Sequence, residues 1–195
     1  MPSVAILGNI GSGKSELSAA LAVRLGWTLV QEPVEAWRSS GFLDEYYKNP
    51  VKYGFAFQCY AFITRVRGYA HEPCQNRVYD SHAVTDPVFA GVLLTEKEQA
   101  WYKEIYQSWE SVLSMREPDL FIYLNASATT CLEHIKQRDR SEEVGISPEF
   151  LESLSRGYGD LVSSLGNKVV TIDASQDRAA VLDLAFEICC ARFSQ

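Results

Sequence analysis

The run Gly8-Asn9-Ile10-Gly11-Ser12-Gly13-Lys14-Ser15 constrains this chain more than any other stretch. It follows an apolar, strand-like segment, residues 3–7, and opens a helix-like one over 14–25. Gly8, Gly13, Lys14 and Ser15 occupy the fixed positions of the G-x-x-x-x-G-K-S/T pattern. Glycines let the backbone wind closely round an anion, so that successive N–H groups converge on it at the helix N-terminus. Lys14 then adds a point charge for the outer phosphates, and Ser15 a hydroxyl for Mg²⁺. Gly8, Asn9, Ile10, Gly11, Ser12, Gly13, Lys14 and Ser15 are therefore expected to bind the phosphates of a nucleoside triphosphate. A loop of this kind works only between a strand and a helix, which commits the chain to an α/β fold.

The rest of the sequence agrees. Short β-rich runs at 3–7, 27–31, 76–80, 119–124 and 168–172 alternate with helical patterns near 14–25, 50–70, 82–93, 96–115, 127–138, 148–165 and 177–192, the last opened by a capping Asp177. That alternation predicts a five-stranded parallel sheet with helices on both faces and ligands at the carboxyl ends of the strands. No repeat or linker interrupts it, so residues 1–195 read as a single domain. No apolar run approaches the roughly eighteen residues of a membrane span, and no targeting segment is expected. A formal charge of −7 argues against general affinity for nucleic acid. Five cysteines, odd in number and without metal-site spacing, read as thiols in a reducing compartment, hence a cytoplasmic protein.

"VQEPVEAW", Val30 to Trp37, sets Glu32 and Glu35 close to a phosphate-binding loop. A carboxylate at the tip of the second strand would repel phosphate, but it suits a neutral alcohol that accepts a phosphoryl group, because it can take the proton of that alcohol. A regulatory GTPase is the poorer reading: "GNKVVTID" lacks the Asp of NKxD, and DxxG is absent.

"GNIGSGKS", "EPVEAW", "FQCYAFITR" and "RDRSEE", in this order and at these separations, resemble the deoxynucleoside kinase family of deoxycytidine, deoxyguanosine and mitochondrial thymidine kinases and their insect, bacterial and viral relatives. The resemblance, over about residues 3 to 165, implies a P-loop kinase fold with a short arginine-rich lid (about 138–146). It also implies a homodimer, and Mg²⁺-dependent transfer of the ATP γ-phosphate to a deoxynucleoside 5′-hydroxyl. It puts the catalytic base on Glu32, the 3′-hydroxyl contact on Tyr47 and Glu143, and the base-pairing amide on Gln58. Trp37, Phe57 and Phe89 fall on the aromatic walls around the nucleobase. Arg138 and Arg140 fall on the phosphate clamp of the lid, His134 near the adenine, and Asp80 beside Ser15 at the metal. Arg65 and Asp86 match the pair of the deoxycytidine and purine members, which implies preference for those nucleosides over thymidine.

The match departs at "VYDSHAVTDPVF": aligning "DPVF" with the bacterial relatives puts Asp80 on the family's acid and Ser81 on its arginine, whereas an ungapped alignment puts Tyr79 and Asp80 there, which is chemically less plausible. The expectation is that Arg77, His82 or a lid arginine supplies part of the missing charge, or that turnover is slow. A thymidine kinase, a thymidylate-type monophosphate kinase and a non-catalytic nucleotide-binding module are the alternatives.

Overall fold

The computed structural model describes residues 1–69, 75–113, 117–140 and 143–193, with the side chains of 110–113 left aside. Cys74, residue 70, the 114–115 end of one expected helix, and Ser141 and Glu142 of the lid motif lie outside the described residues.

Five parallel strands, β1 (Ser3–Gly8), β2 (Thr28–Val30), β3 (Arg77–Tyr79), β4 (Leu120–Asn125) and β5 (Val169–Asp173), form one sheet in the order β2-β3-β1-β4-β5. Alternate residues face opposite ways along a strand, and two cores follow. Val4, Ile6, Val78 and Ile122 pack against Leu17 and Leu21 of α1 (Lys14–Leu25) and against Val181 and Ala185 of α9 (Arg178–Phe193). Ala5, Leu7, Tyr79 and Phe121 face Val88 of α5 (Asp86–Leu93) and Leu154 and Tyr158 of α8 (Pro148–Leu165). α4 (Pro50–Tyr69) and α6 (Glu96–Leu113) extend that second layer, while α7 (Ala128–Arg138) lies beside the glycine loop. The expected capping Asp177 accepts from the Ala179 N–H at 2.9 Å.

Two short helices, α2 (Val34–Ser39) and α3 (Phe42–Lys48), are absent from the sequence reading. Six and seven residues give too few turns for a periodic signal, and Gly41 at φ 73° separates them. The helix expected over 82–93 is also corrected. His82 is extended, Ala83–Thr85 is a single 3₁₀ turn, and α5 starts at Asp86. Pro87 explains this, because its ring would collide with the carbonyl four residues back in a continuous helix. Cys59, Cys131, Cys189 and Cys190 are free thiols.

The strand order reverses next to β1. β2 and β3 lie on one side and β4 and β5 on the other, so the connections leaving β1 and β3 run to opposite faces and open a crevice at their carboxyl ends.

Candidate active site

Gly8, Gly11 and Gly13 have φ of 153°, 81° and 94°, values that side chains disfavour. A Cβ at Gly11 would overlap the Cys131 carbonyl of α7, so glycine is needed there for space as well. The resulting loop folds its own cation inward: Lys14 Nζ donates to the carbonyls of Gly8 at 2.9 Å and Asn9 at 2.8 Å. Burial holds the Lys14 pKa below its ordinary value, against the opposing pull of Glu32 and Asp80. Asn9 anchors the loop to α8 through the Leu151 carbonyl at 2.7 Å.

A cleft opens in front of the loop. It is lined by Lys14, Ser15 and Glu32, by Arg138, Arg140 and Glu143, and by Trp37, Tyr47, Phe57, Gln58, Arg65, Asp86 and Phe89. Of the site residues read from the sequence, these share one space with Ile10 and Gly11. Gly8, Asn9, Ser12, Gly13, Asp80 and His134 are not in its wall. Ser12, Gly13 and His134 instead line a neighbouring hollow with Arg178 and Gln176, and His134 Nδ1 lies 2.9 Å from the Gly11 carbonyl. Glu35 is exposed on α2.

The aromatic wall is layered. Phe57 stacks on Tyr46 with centroids 4.6 Å apart and meets Trp37 edge-on at 5.7 Å, while Trp37 Nε1 donates to Thr64 at 2.8 Å. Tyr47 packs against Tyr46, and burial raises its phenol pKa. Gln58 is 4% exposed, and its amide makes no hydrogen bond with the described residues. In an enclosed wall that leaves a donor and an acceptor available to a ligand.

At the floor, one guanidinium holds two carboxylates. Arg65 Nη2 donates to Glu32 Oε1 at 2.6 Å, and Nη1 donates to Asp86 Oδ1. Asp86 Oδ2 and Arg65 Nε are buried without a partner. Burial pushes the Asp86 carboxyl up to about 6, with Arg65 pulling the other way. The lid side carries a bidentate pair, Arg138 Nε and Nη2 to the two Glu143 oxygens at 2.7 and 2.8 Å, with Arg140 Nη1 at 3.5 Å.

Asp80 is buried at the end of β3 and accepts from Ser18 at 3.2 Å; burial and Glu32 raise its pKa, while Lys14 and the hydroxyls of Ser15 and Ser18 lower it. Among the described residues no three His, Cys, Asp or Glu side chains form a metal cage. A hydroxyl plus one carboxylate, completed by phosphate oxygens and water, is a donor set that suits Mg²⁺.

Arg77 and His82 do not compensate for Ser81. Arg77 begins β3, pairs in register with Ser3 at the opposite end of the sheet, and donates to the Tyr69 carbonyl at 2.8 Å. His82 stacks on Tyr69, and burial with the nearby Arg65 lowers its pKa to about 3, so it is neutral. Sequence reasoning missed Tyr46, Phe150 and Tyr158 of the cleft wall; their only signal was apolar spacing on α3 and α8, which reads equally as core.

A family model described as deoxynucleoside kinase matches residues 4–186. The chain is 32% identical over 177 residues to a deoxyadenosine kinase of Dictyostelium discoideum, covering 87% of this chain and 70% of that protein. It is 31% identical to deoxycytidine kinase 2 of Gallus gallus, covering 77% and 70%. The solved structure of a deoxyadenosine kinase from M. mycoides with bound dCTP superposes with a TM-score of 0.85 at 27% identity, over 97% of this chain and 99% of that one.

Proposed function

Because the chain belongs to the deoxynucleoside kinase family, and so is a phosphotransferase that phosphorylates the 5′-hydroxyl of a deoxynucleoside with ATP, we propose that Glu32 is its general base and that the Gly8–Ser15 loop holds the donor. The observation that carries this reading is that Glu32 and Lys14 line one cleft from different strand ends. The deoxynucleoside lies between the aromatic wall and Gln58, with its sugar toward Tyr47 and Glu143. As the 5′-oxygen bonds to the γ-phosphorus, its proton passes to the Glu32 carboxylate, and the bond from that phosphorus to the β,γ-bridging oxygen breaks, leaving its electron pair on ADP. Lys14, Arg138 and Arg140 offset the charge spread over the transferring oxygens. Mg²⁺, when bound, neutralises charge on the donor phosphates, and Ser15 and Asp80 are the residues that would hold it. His134, beside Arg178, borders the hollow assigned to the adenine.

Arg65 and Asp86 favour nucleosides that carry an exocyclic amine, cytosine and purines, over thymidine, because the unpartnered Asp86 Oδ2 accepts such a hydrogen bond. Residues 1–195 act as one domain. The exposed Ile63 on α4 and Trp101 and Trp109 on α6 support a homodimer. A cytoplasmic setting agrees with the free thiols, and no described helix is long and apolar enough to cross a membrane.

Glu32→Gln tests the central assignment. The expected kcat falls about 10²–10⁴-fold, while ATP affinity stays near that of the unchanged chain. Turnover at the original rate would refute it.

A further inference from the structure

Ser81 and Glu32 line the same cleft, each just past the last paired residues of β3 and β2. Val30 pairs with Tyr79, and the Asp80 N–H donates to the Val30 carbonyl at 3.0 Å. Glu32 and Ser81 each lie two residues past that pair, at the ends of strands about 4.8 Å apart. A long cation at 81 would therefore reach Glu32, but the serine side chain is short, buried and makes no hydrogen bond with the described residues. The cation comes from α4 instead. Arg65 threads past Trp37, its guanidinium carbon 5.4 Å from the ring centroid, and reaches Glu32 at 2.6 Å. The other cations near the cleft are engaged elsewhere, Lys14 with the carbonyls of Gly8 and Asn9, and Arg138 and Arg140 with Glu143.

We propose that Arg65 is the positioning residue for Glu32 in this chain, and that its second arm, on Asp86, couples nucleobase reading to phosphoryl transfer. The inference rests on Glu32 being the base. A guanidinium is a rigid planar fork, so its two terminal nitrogens cannot move independently. Whatever engages the free Oδ2 of Asp86 shifts or steadies the plane that also fixes Glu32. An acceptor with an amine at that point steadies it; one without leaves the fork to the two carboxylates alone. Arg65 thus contributes to kcat as well as to binding, although it lies on the nucleobase side of the cleft.

The test is steady-state kinetics with deoxycytidine and thymidine, alongside ATP binding. Arg65→Met should lower kcat tenfold or more with both nucleosides and erase the preference between them. Adding Ser81→Arg should return kcat at least fivefold without restoring that preference. Because losing the guanidinium would leave Asp86 buried and alone, the same comparison is made in Arg65→Met/Asp86→Asn, and that background decides if the single variant does not fold. A kcat within twofold of the original in the decisive background, or no recovery on adding Ser81→Arg while ATP still binds, overturns the proposal. Glu32→Gln is assayed in parallel: if it keeps full turnover, the assignment of the base fails on its own, whatever the arginine variants do.

Discussion

Asp86 carries the pH dependence of nucleobase choice. Its carboxyl, buried against Arg65 and facing Glu32, titrates near 6. Above that pH both oxygens accept; below it the group holds a proton and loses acceptor capacity toward an amine. Assayed across pH 5–8, the KM for deoxycytidine should rise as pH falls below about 6, while that for thymidine does not follow. At pH 7.5 deoxycytidine should be the better substrate, and thymidine as the best of the four deoxynucleosides would remove the assigned preference. Folding follows the opposite sign. A carboxyl whose pKa is raised in the fold binds its proton more tightly folded than unfolded, so its contribution to stability diminishes as pH rises from about 4 toward 6. Individual residues differed in how legible they were. Glu32, Gln58 and the glycines belong to contiguous motifs, whereas the bond from Arg65 to Glu32 joins positions 33 apart on a helix and a strand end. No local pattern records such a bond, which is why proximity in sequence pointed to Arg77 and His82 as donors of the charge.

Elements fix where these side chains stand. α5 carries Asp86 and Phe89 and packs on α8, where Gly157 faces Val88; a Cβ there would come within 2.8 Å of Val88 Cγ1. Valine is stiff at χ1 and this one is buried, so it cannot swing away. Gly157→Ala gains about 1 kcal/mol of helix propensity but incurs overpacking of about 1–3 kcal/mol. The net expectation is a loss of about 1 kcal/mol, visible as a lower urea midpoint at unchanged m-value. The long helices were legible because eleven or more residues repeat an apolar stripe several times. α2 and α3 were not, since their form depends on Trp37, Leu43 and Tyr46 joining Phe57 in a shared cluster, a tertiary cause with no sequence period.

At the scale of the molecule, strand alternation and the glycine loop sufficed to read a parallel sheet with helices on both faces, though not the order of its strands. What they could not convey was how unequally the two halves of the cleft are supported. β1, which carries the glycine loop, is buried along its whole length between β3 and β4. β2, which leads to Glu32, is a three-residue edge strand, half-buried and bonded on one side. Amide protons of Ala5, Ile6 and Leu7 should therefore exchange with deuterium only through global opening, and those around Leu29 and Val30 orders of magnitude faster through local fraying. Equal protection in both strands would contradict this. The donor half then behaves as bedrock and the acceptor half as the yielding bank, so adaptation to nucleosides of different bulk would come from the β2 margin while the phosphate grip stays constant.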